Sequence, residues 1–595
     1  MSTRSPSGYA RYIGRVGGLA VALGIGVAIA DNAGAALADD SAAAKPAASS
    51  ESTTKPDNAK RTLKRSLGDF RDRIERSPKT DLSERVSARR TEIRDTVRGL
   101  GSSHRDNDPG KPPQLLRAVV TQARPATPVR NRPATADGVG LVTVLGAARQ
   151  EHIDASRAAP VPDVPATQTP RTDDQLAAEQ RATRIAKSPA VVLAKVVLKV
   201  AWYNSAQKNF TLVGGPDQAN LAQLDRSVDE YANQAAMEVQ LLDPNNPKIL
   251  QQVMPPHTWY GQSVGGTRIW YDNPDTVYRF VAVNAASEYV ITGTFDKDHM
   301  PADTNFSVLT GLNGDTASNL NADDLELDED GTFRITVSSR QPEPGEDHLY
   351  LPPDATLITT RNTLSDWDDQ VPMSVSIERV SGPPDSLFAQ VGGFLFPGIG
   401  PAVTQNPTLV KLVSVIPPFK NPPVALQATE TALLMLILGI SKQDEYMAVA
   451  TTDPQTGELR QPNTLSEPSY NAQFLATQLQ STGYFDLADD EALVITIDQG
   501  SAKYFNVPVT NDWTITDNYW DQQTSLNNAQ ATPDDNVGTY TIVVAKNDPG
   551  MANWVSTGGL NQGTLSIRFQ GVADPIGDPP TVHAEVIKIP MATSV

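Results

Sequence analysis

The chain contains no cysteine in 595 residues. Disulfides, a thiol nucleophile, thiolate metal sites, iron–sulfur clusters and lipid attachment through a lipobox are therefore all excluded. Histidine is scarce too: His104, His152, His257, His299, His348 and His583 are isolated, and no H-x-H or H-E-x-x-H pair exists. A local zinc motif is absent, and no metal is expected. Glycine-rich phosphate and dinucleotide fingerprints are missing as well. Gly265-Gly266 and Gly392-Gly393 are followed by no matching glycine, so no cofactor is expected. Neither G-x-S-x-G nor a placed S-x-x-K marks a serine nucleophile. The acidic run Asp323, Asp324, Asp328, Glu329 and Asp330 lacks the last ligand of a calcium loop. With Gly331 at the sixth position the twelfth is Val337, and an Asp-Gly hairpin turn accounts for the run.

What is present begins with a leader. Arg4, Arg11 and Arg15 precede the small apolar run of residues 17–30, and Ala36-Leu37-Ala38 follows as an A-x-A site. The run is shorter than the roughly 20 apolar residues of a membrane-spanning helix. Residues 1–38 therefore read as a secretory signal peptide cleaved near Ala38. The expected location is extracellular or the cell envelope, with membrane anchoring as the alternative if the leader is kept.

Charge divides the remainder. Residues 39–188 carry a net +7 and residues 189–595 a net −28. The basic segment is rich in Ala, Pro, Ser, Thr and Arg, so it buries too little apolar surface to order itself and reads as a disordered tether. Leu63, Leu67, Phe70 and Ile74, and then Leu82, Val86, Ile93, Val97 and Leu100, predict two short Arg-rich amphipathic helices within it. These could contact anionic surfaces. Nucleic acid is not an expected partner, because no base-stacking motif accompanies the arginines.

The acidic body is mainly β. Residues 277–283, 288–295, 332–337, 492–497, 540–545, 564–569 and 582–589 alternate as strands, and turn residues recur about every ten positions. Antiparallel β-sandwich domains, jelly-roll-like, with a few helices are expected. Residues 218–240 show helical spacing through Leu221, Leu224, Val228, Tyr231 and Ala235, and 429–440 has the length of a buried core helix. The expected organisation is a mixed helix and sandwich domain over 189–387, a Gly/Pro-rich connection and buried helix over 388–470, and a second sandwich over 471–595.

Several phrases carry a family resemblance. Tyr271-Asp272-Asn273-Pro274-Asp275, Tyr278, Tyr289-Val290-Ile291-Thr292-Gly293, Asp330-Gly331-Thr332-Phe333, Trp367 and Glu378-Arg379 lead into a denser C-terminal set. That set is Asp490–Ile495, Asn511-Asp512-Trp513, Gln523–Asn527, Asp548-Pro549-Gly550, Asn553-Trp554 and Arg568-Phe569-Gln570. Together they resemble the bacterial domain of unknown function numbered 1214, over roughly residues 229–572. The resemblance implies a β-rich, sandwich-like fold and no agreed activity. The leader phrase Tyr12-Ile13-Gly14-Arg15-Val16-Gly17-Gly18 resembles those of exported proteins of mycobacteria and related actinobacteria.

One polar-aromatic cluster stands out as candidate ligand-binding chemistry: Trp513, Tyr519, Trp520, Gln523 and Asn527, with Trp554 and Arg568 beyond. Aromatic faces beside amides suit sugar-like ligands, because rings stack and amides bond hydroxyls. In a β-protein the same residues also serve as sandwich core and loop supports. The first reading is a non-enzymatic exported protein binding an envelope glycan, lipid or partner protein. The alternatives are a secreted hydrolase of envelope polysaccharide or ester, with Asp512 and Asp517 acting near Trp513, and a structural spacer.

Overall fold

The computed structural model describes residues 172–589, apart from 312–313, 391–405, 420, 471–476 and 535–537. The leader, most of the tether and its two Arg-rich helices lie outside the described residues.

The tether expected through residue 188 gives way earlier to structure. Helix α1 (Thr172–Ala186) opens with Asp173 and Asp174 and closes with Arg184, charges that complement the helix dipole. Its buried stripe is Ala178, Ala182, Ile185 and Ala186, with Gln175 and Glu179 also buried. Helix α2 (Pro189–Asn209) starts on Pro189 and buries Val191, Ala194, Leu198, Trp202 and Ala206 at helical spacing. Helix α3 (Gln218–Glu238) is capped by Asp217, whose side chain accepts from the Asn220 amide; this contact satisfies one of the orphan donors of the first turn.

The strands form two sandwiches. After β1 (Leu250–Gln252) and the small hairpin β2 (His257–Trp259) and β3 (Gln262–Val264) come eight strands of the first: β4 (Thr276–Ala282), β5 (Glu288–Thr294), β6 (Asp303–Thr310), β7 (Asp315–Asn321), β8 (Thr332–Ser338), β9 (His348–Tyr350), β10 (Ala355–Thr363) and β11 (Ser374–Ser381). One sheet runs β1-β4-β10-β6-β7 and the other β11-β5-β8-β9. Pairing is antiparallel except for β8 with β9. The expected Asp-Gly turn is present, closed by Gly331 N–H on Asp328 O and Asp328 N–H on Thr332 O.

Helices α4 (Pro407–Val413) and α5 (Val424–Thr451) separate this unit from β12 (Thr464–Leu465), β13 (Ser469–Tyr470), β14 (Leu479–Asp486), β15 (Glu491–Asp498), β16 (Tyr504–Thr510), β17 (Ser525–Asn527), β18 (Thr539–Ala545), β19 (Trp554–Ser556), β20 (Gln562–Gln570) and β21 (Thr581–Lys588). The second sandwich is ordered β12-β14-β20-β16-β17 against β19-β18-β15-β21, with β18 and β19 parallel. Strands β14 to β21 therefore repeat the order of β4 to β11, one for one. The chain contains one two-sheet unit twice.

The helix expected over 429–440 extends to 28 residues in α5. By length and composition it could cross a membrane, but it packs along α2. Trp202 Nε1 donates to Gly439 O at 2.7 Å across that contact. A Cβ at Gly439 would lie 2.8 Å from the Tyr231 ring and 3.0 Å from Leu198, so glycine lets three helices meet there despite its helix cost of about 1 kcal/mol. The outer side of α2 leaves Val192, Leu193, Val196 and Val197 exposed. Toward the interior the helices join Tyr278, Phe280, Leu309 and Leu357 of the first sandwich to Tyr484, Trp513 and Ile515 of the second in one core.

A polar knot also ties the two sandwiches. The Asp275 carboxylate accepts from Tyr504 Oη at 2.9 Å, Asn527 Nδ2 at 3.0 Å and Trp367 Nε1 at 3.3 Å. Asn506 Nδ2 donates to Asn273 Oδ1 at 3.0 Å. The Asn273-Pro274-Asp275 phrase is thus structural: buried acceptors that would be costly unpaired are saturated by donors from β16 and β17.

Candidate functional site

A second buried polar cluster is not saturated. On α3, Arg226 and Glu230 stand four residues apart and share a face. The segment after β3 supplies Arg268 and Asp272, and the loop between β16 and β17 supplies Asp517, Tyr519 and Trp520. Arg268 is wholly buried and binds Asp272 Oδ2 through Nε at 2.9 Å and Nη2 at 2.5 Å. Its Nη2 also donates to Thr516 O at 3.2 Å. The guanidinium lies 4.8 Å from the Tyr519 ring centre and 5.5 Å from that of Trp520, within cation–π range. Those two rings meet edge to face, 5.4 Å apart at 82°. Both are half-buried and form the solvent side of the cluster.

Beside this platform, Arg226 Nη2 pairs with Asp517 Oδ1 at 3.2 Å. Asp517 Oδ2 and both oxygens of Glu230 meet no hydrogen-bond donor among the described residues. Burial pushes the Glu230 carboxyl above its ordinary value, with Arg268 and Arg226 offsetting part of the rise and Asp272 and Asp517 adding to it. Asp517 is raised chiefly by burial too, against the pull of Arg226. The cluster holds three acids against two arginines, with two ion pairs formed. It can hold a proton, and it offers acceptor oxygens beside aromatic faces.

Close backbone approach makes this possible. A Cβ at Gly558 would fall 1.9 Å from Asp517 Oδ2, at φ +66°. Gly558→Ala should therefore cost well over the roughly 1 kcal/mol of a left-handed residue and displace Asp517. Gly559→Ala, at φ +87° with nothing within 4 Å, should cost only that conformational penalty. Urea unfolding of the two variants separates the effects; equal losses would mean that Asp517 does not need the space.

The sequence-predicted residues divide. Tyr519 and Trp520 sit at this cluster. Trp513 does not: it is fully buried, its Nε1 donating to Asn220 O at 2.9 Å, because it fills the junction between α3 and the second sandwich. Asn527 is buried in the Asp275 knot and also donates to Ser365 O at 2.9 Å. Arg568 is buried with Nη2 bonded to Tyr271 O. Gln523 Nε2 supports Trp554 O at 2.5 Å, and Trp554 Nε1 donates to Ala545 O at 3.0 Å. These five support the fold: Trp513, Asn527 and Arg568 are buried, while Gln523 and Trp554 are half-buried and spend their side-chain N–H groups on backbone carbonyls. Asp512 and Asp517 are not gathered around Trp513 either. Asp512 is buried elsewhere, held by Gln562 Nε2 at 2.9 Å with Asp217 and Asp486 as its charged neighbours.

Sequence reading missed Arg226, Glu230, Arg268 and Asp272. One signal was available: Ser227, Glu230 and Gln234 fall on the same side of α3 as Leu224, Val228 and Tyr231, and all are buried. A separate cavity of about 650 Å³ lies among α1, residues 239–250 and the start of α5, lined in part by Arg181, Lys248, Phe419 and Glu430. It shares no residue with the cluster.

No protein-family model matches the chain, and no curated protein does. Among solved structures, an uncharacterised Burkholderia cenocepacia protein is similar at 22% identity and TM-score 0.47, over 68% of this chain and 99% of that one. A Vibrio parahaemolyticus protein is similar at 15% identity and TM-score 0.29, over 54% of this chain and 90% of that one. A Brassica napus 11S globulin precursor follows at 7% identity and TM-score 0.12, over 53% and 78%.

Proposed function

We propose that this is an exported binding protein whose body takes a hydroxyl-rich ligand, of the envelope-glycan class, at the Glu230–Asp517 cluster under Tyr519 and Trp520. The observation that carries this reading is the set of three buried carboxyl oxygens without donors among the described residues, next to two half-exposed aromatic rings. Sugar hydroxyls supply the missing donors and pyranose faces stack on rings. Export rests on the leader, and the basic segment ahead of the body suits an anionic surface.

The raised carboxyls of Glu230 and Asp517 favour a second reading, hydrolysis of an envelope glycan with a protonated acid as proton donor. Calorimetric titration of the full chain with envelope glycan fragments tests the first. Glu230→Gln and Trp520→Ala should each weaken binding about tenfold, the equivalent of one lost hydrogen bond or stacking contact. Unchanged affinity in both variants would defeat the site. Release of new reducing ends by the wild type, abolished in Glu230→Gln, would replace binding by hydrolysis.

A further inference from the structure

The interior of the first sandwich contains a cation with no counter-charge among the described residues. Arg279, on β4, is 1% exposed. Its neighbours on the same face of the strand, Val277 and Val281, are core residues, and across the sheet so are Ile358, Phe306 and Val308. Arg279 therefore points between the sheets, not into the helical layer that covers Tyr278 and Phe280 on the other face. Its one hydrogen bond runs from Nη1 to Asn362 Oδ1 at 2.8 Å. Nε and Nη2 meet no acceptor among the described residues.

The register places partners around it. Gln251 of β1 and Thr360 of β10 pair directly with Arg279 from its two sides, so all three side chains share the interior face. Gln251 Oε1 and Thr360 Oγ1 are also buried without partners among the described residues. Asn362 Nδ2 donates to Thr304 Oγ1 at 2.8 Å and closes the row. None of these residues is acidic, and the facing sheet contributes Tyr289, Ile291, Phe333, Ile335 and Val337. Burial lowers Arg279 to about 10, with no carboxylate acting against it; the group stays cationic at neutral pH. The contrast with Arg268 is direct: equally buried, that guanidinium has Asp272. Gln251 could relieve one free N–H of Arg279, but a neutral amide cannot cancel a charge, and an unpaired buried charge is strongly destabilising.

The internal repeat shows that the fold itself does not demand this polarity. In the second sandwich the corresponding strands face inward with Leu479, Ser481, Gly483 and Phe485 on β14, Phe505, Val507 and Val509 on β16, and Leu565, Ile567 and Phe569 on β20. The same scaffold closes over mainly apolar strands with no charged side chain on those inward faces in one copy, and over Arg279, Thr360, Asn362 and Thr304 in the other.

We propose that the first sandwich holds a small monoanion, of the size of chloride or formate, on Arg279 Nε and Nη2 with the Thr360 hydroxyl as a further donor. The anion supplies the charge that the described residues do not. This site is independent of the Glu230–Asp517 cluster and stands or falls apart from it.

Crystals of the full chain grown in bromide decide the point without any variant. An anomalous peak within hydrogen-bond reach of Arg279 Nε and Nη2, displaced by formate on back-soaking, is the expected result. Water there, or no density, overturns the proposal. In solution, chloride, bromide and formate should each raise Tm saturably by about 2 °C or more relative to gluconate at equal ionic strength. Arg279→Met should abolish that difference. An identical response to gluconate and to the small anions, or an undiminished response in Arg279→Met, would also overturn it.

Discussion

Replacing Arg268 by Met is expected to lower stability by about 3–5 kcal/mol, the usual loss when one partner of a buried ion pair is removed. The pair is dry: the side chains of Arg268 and Asp272 are 0% and 1% exposed. Without the guanidinium, Asp272 keeps, among the described residues, only the Thr516 amide at 3.4 Å as a donor to its carboxylate. Glu230 loses the first of the two cations that hold its carboxyl down. Tyr519 and Trp520 lose the charge beneath them, so their fluorescence should change in the folded state as well. Removing both charges with Arg268→Met and Asp272→Leu should recover part of the loss, because two apolar groups leave no orphaned carboxylate. Urea unfolding of the full chain reads both effects. A loss below about 1 kcal/mol in Arg268→Met would place the pair among solvent-screened ones and remove the basis for a rigid aromatic platform.

Much of the sandwich architecture was legible because half of each strand speaks for itself. The alternation over 277–283, 540–545 and 564–569 became β4, β18 and β20, each with one face in a sandwich core, through Val281, Ile542 and Ile567 respectively. The duplication also left a trace that strand reading passed over: Val290-Ile291-Thr292 on β5 and Val494-Ile495-Thr496 on β15, with Ile291 and Ile495 both in cores. Helix α1 was hidden for a physical reason. Its buried face is built from the small Ala178, Ala182 and Ala186 and the polar Gln175 and Glu179, with Ile185 its one large buried apolar residue, a stripe too weak to stand out. Gln175 instead docks by bonding both the O and the N–H of Gln251, each at 2.9 Å. Helix α5 was half seen, because the polar Gln427 and Gln443 that flank its apolar centre are themselves buried.

The candidate site was the least legible part. Residue type showed that Trp513 and Arg568 could bind something, but their burial is decided by Asn220 and Tyr271, about 300 residues away in the chain. Tyr519 and Trp520 kept a face toward solvent at the cluster; Gln523 and Trp554 are equally half-buried but bond to backbone carbonyls. The acids beneath them come from α3 and from the loop before β17, a convergence that no local spacing announces.

Stability should fall as pH rises from 4.5 to 7, the reverse of the common pattern for paired carboxylates. Burial raises Glu238 and Glu430 from 4.5 to about 7, and it raises Glu230, Asp303, Asp512 and Asp517 above their ordinary values as well. In the unfolded chain these groups lose their protons first. Between 4.5 and 7 the folded state then binds more protons than the unfolded one, and each unit of pH costs stability until the folded groups also ionise. The exposed pairs do not oppose this. Glu346 is pulled to about 2 by Arg340, and Asp489, Asp490 and Glu491 are lowered by their lysine and backbone donors. Their contribution is complete above the unfolded value and is lost only in stronger acid. A carboxyl at about 7 folded and 4.5 unfolded costs at most about 3 kcal/mol above pH 7. Glu238 and Glu430 keep some solvent contact, which reduces the figure to about 1–2 kcal/mol each. Urea unfolding at pH 5.5 and pH 8 should show the chain more stable at the lower value. Glu238→Gln should gain about 1–2 kcal/mol at pH 8 and almost nothing at pH 4.5, since glutamine removes a charge that only the alkaline folded state must bury. A stability that climbs from pH 5 to pH 8, or a Glu238→Gln variant no better than the wild type at pH 8, would mean that the end of α3 is solvated enough to ionise freely. The packing of Glu238 against the helical layer would then have to be looser than the burial of its neighbours Met237 and Val239 requires.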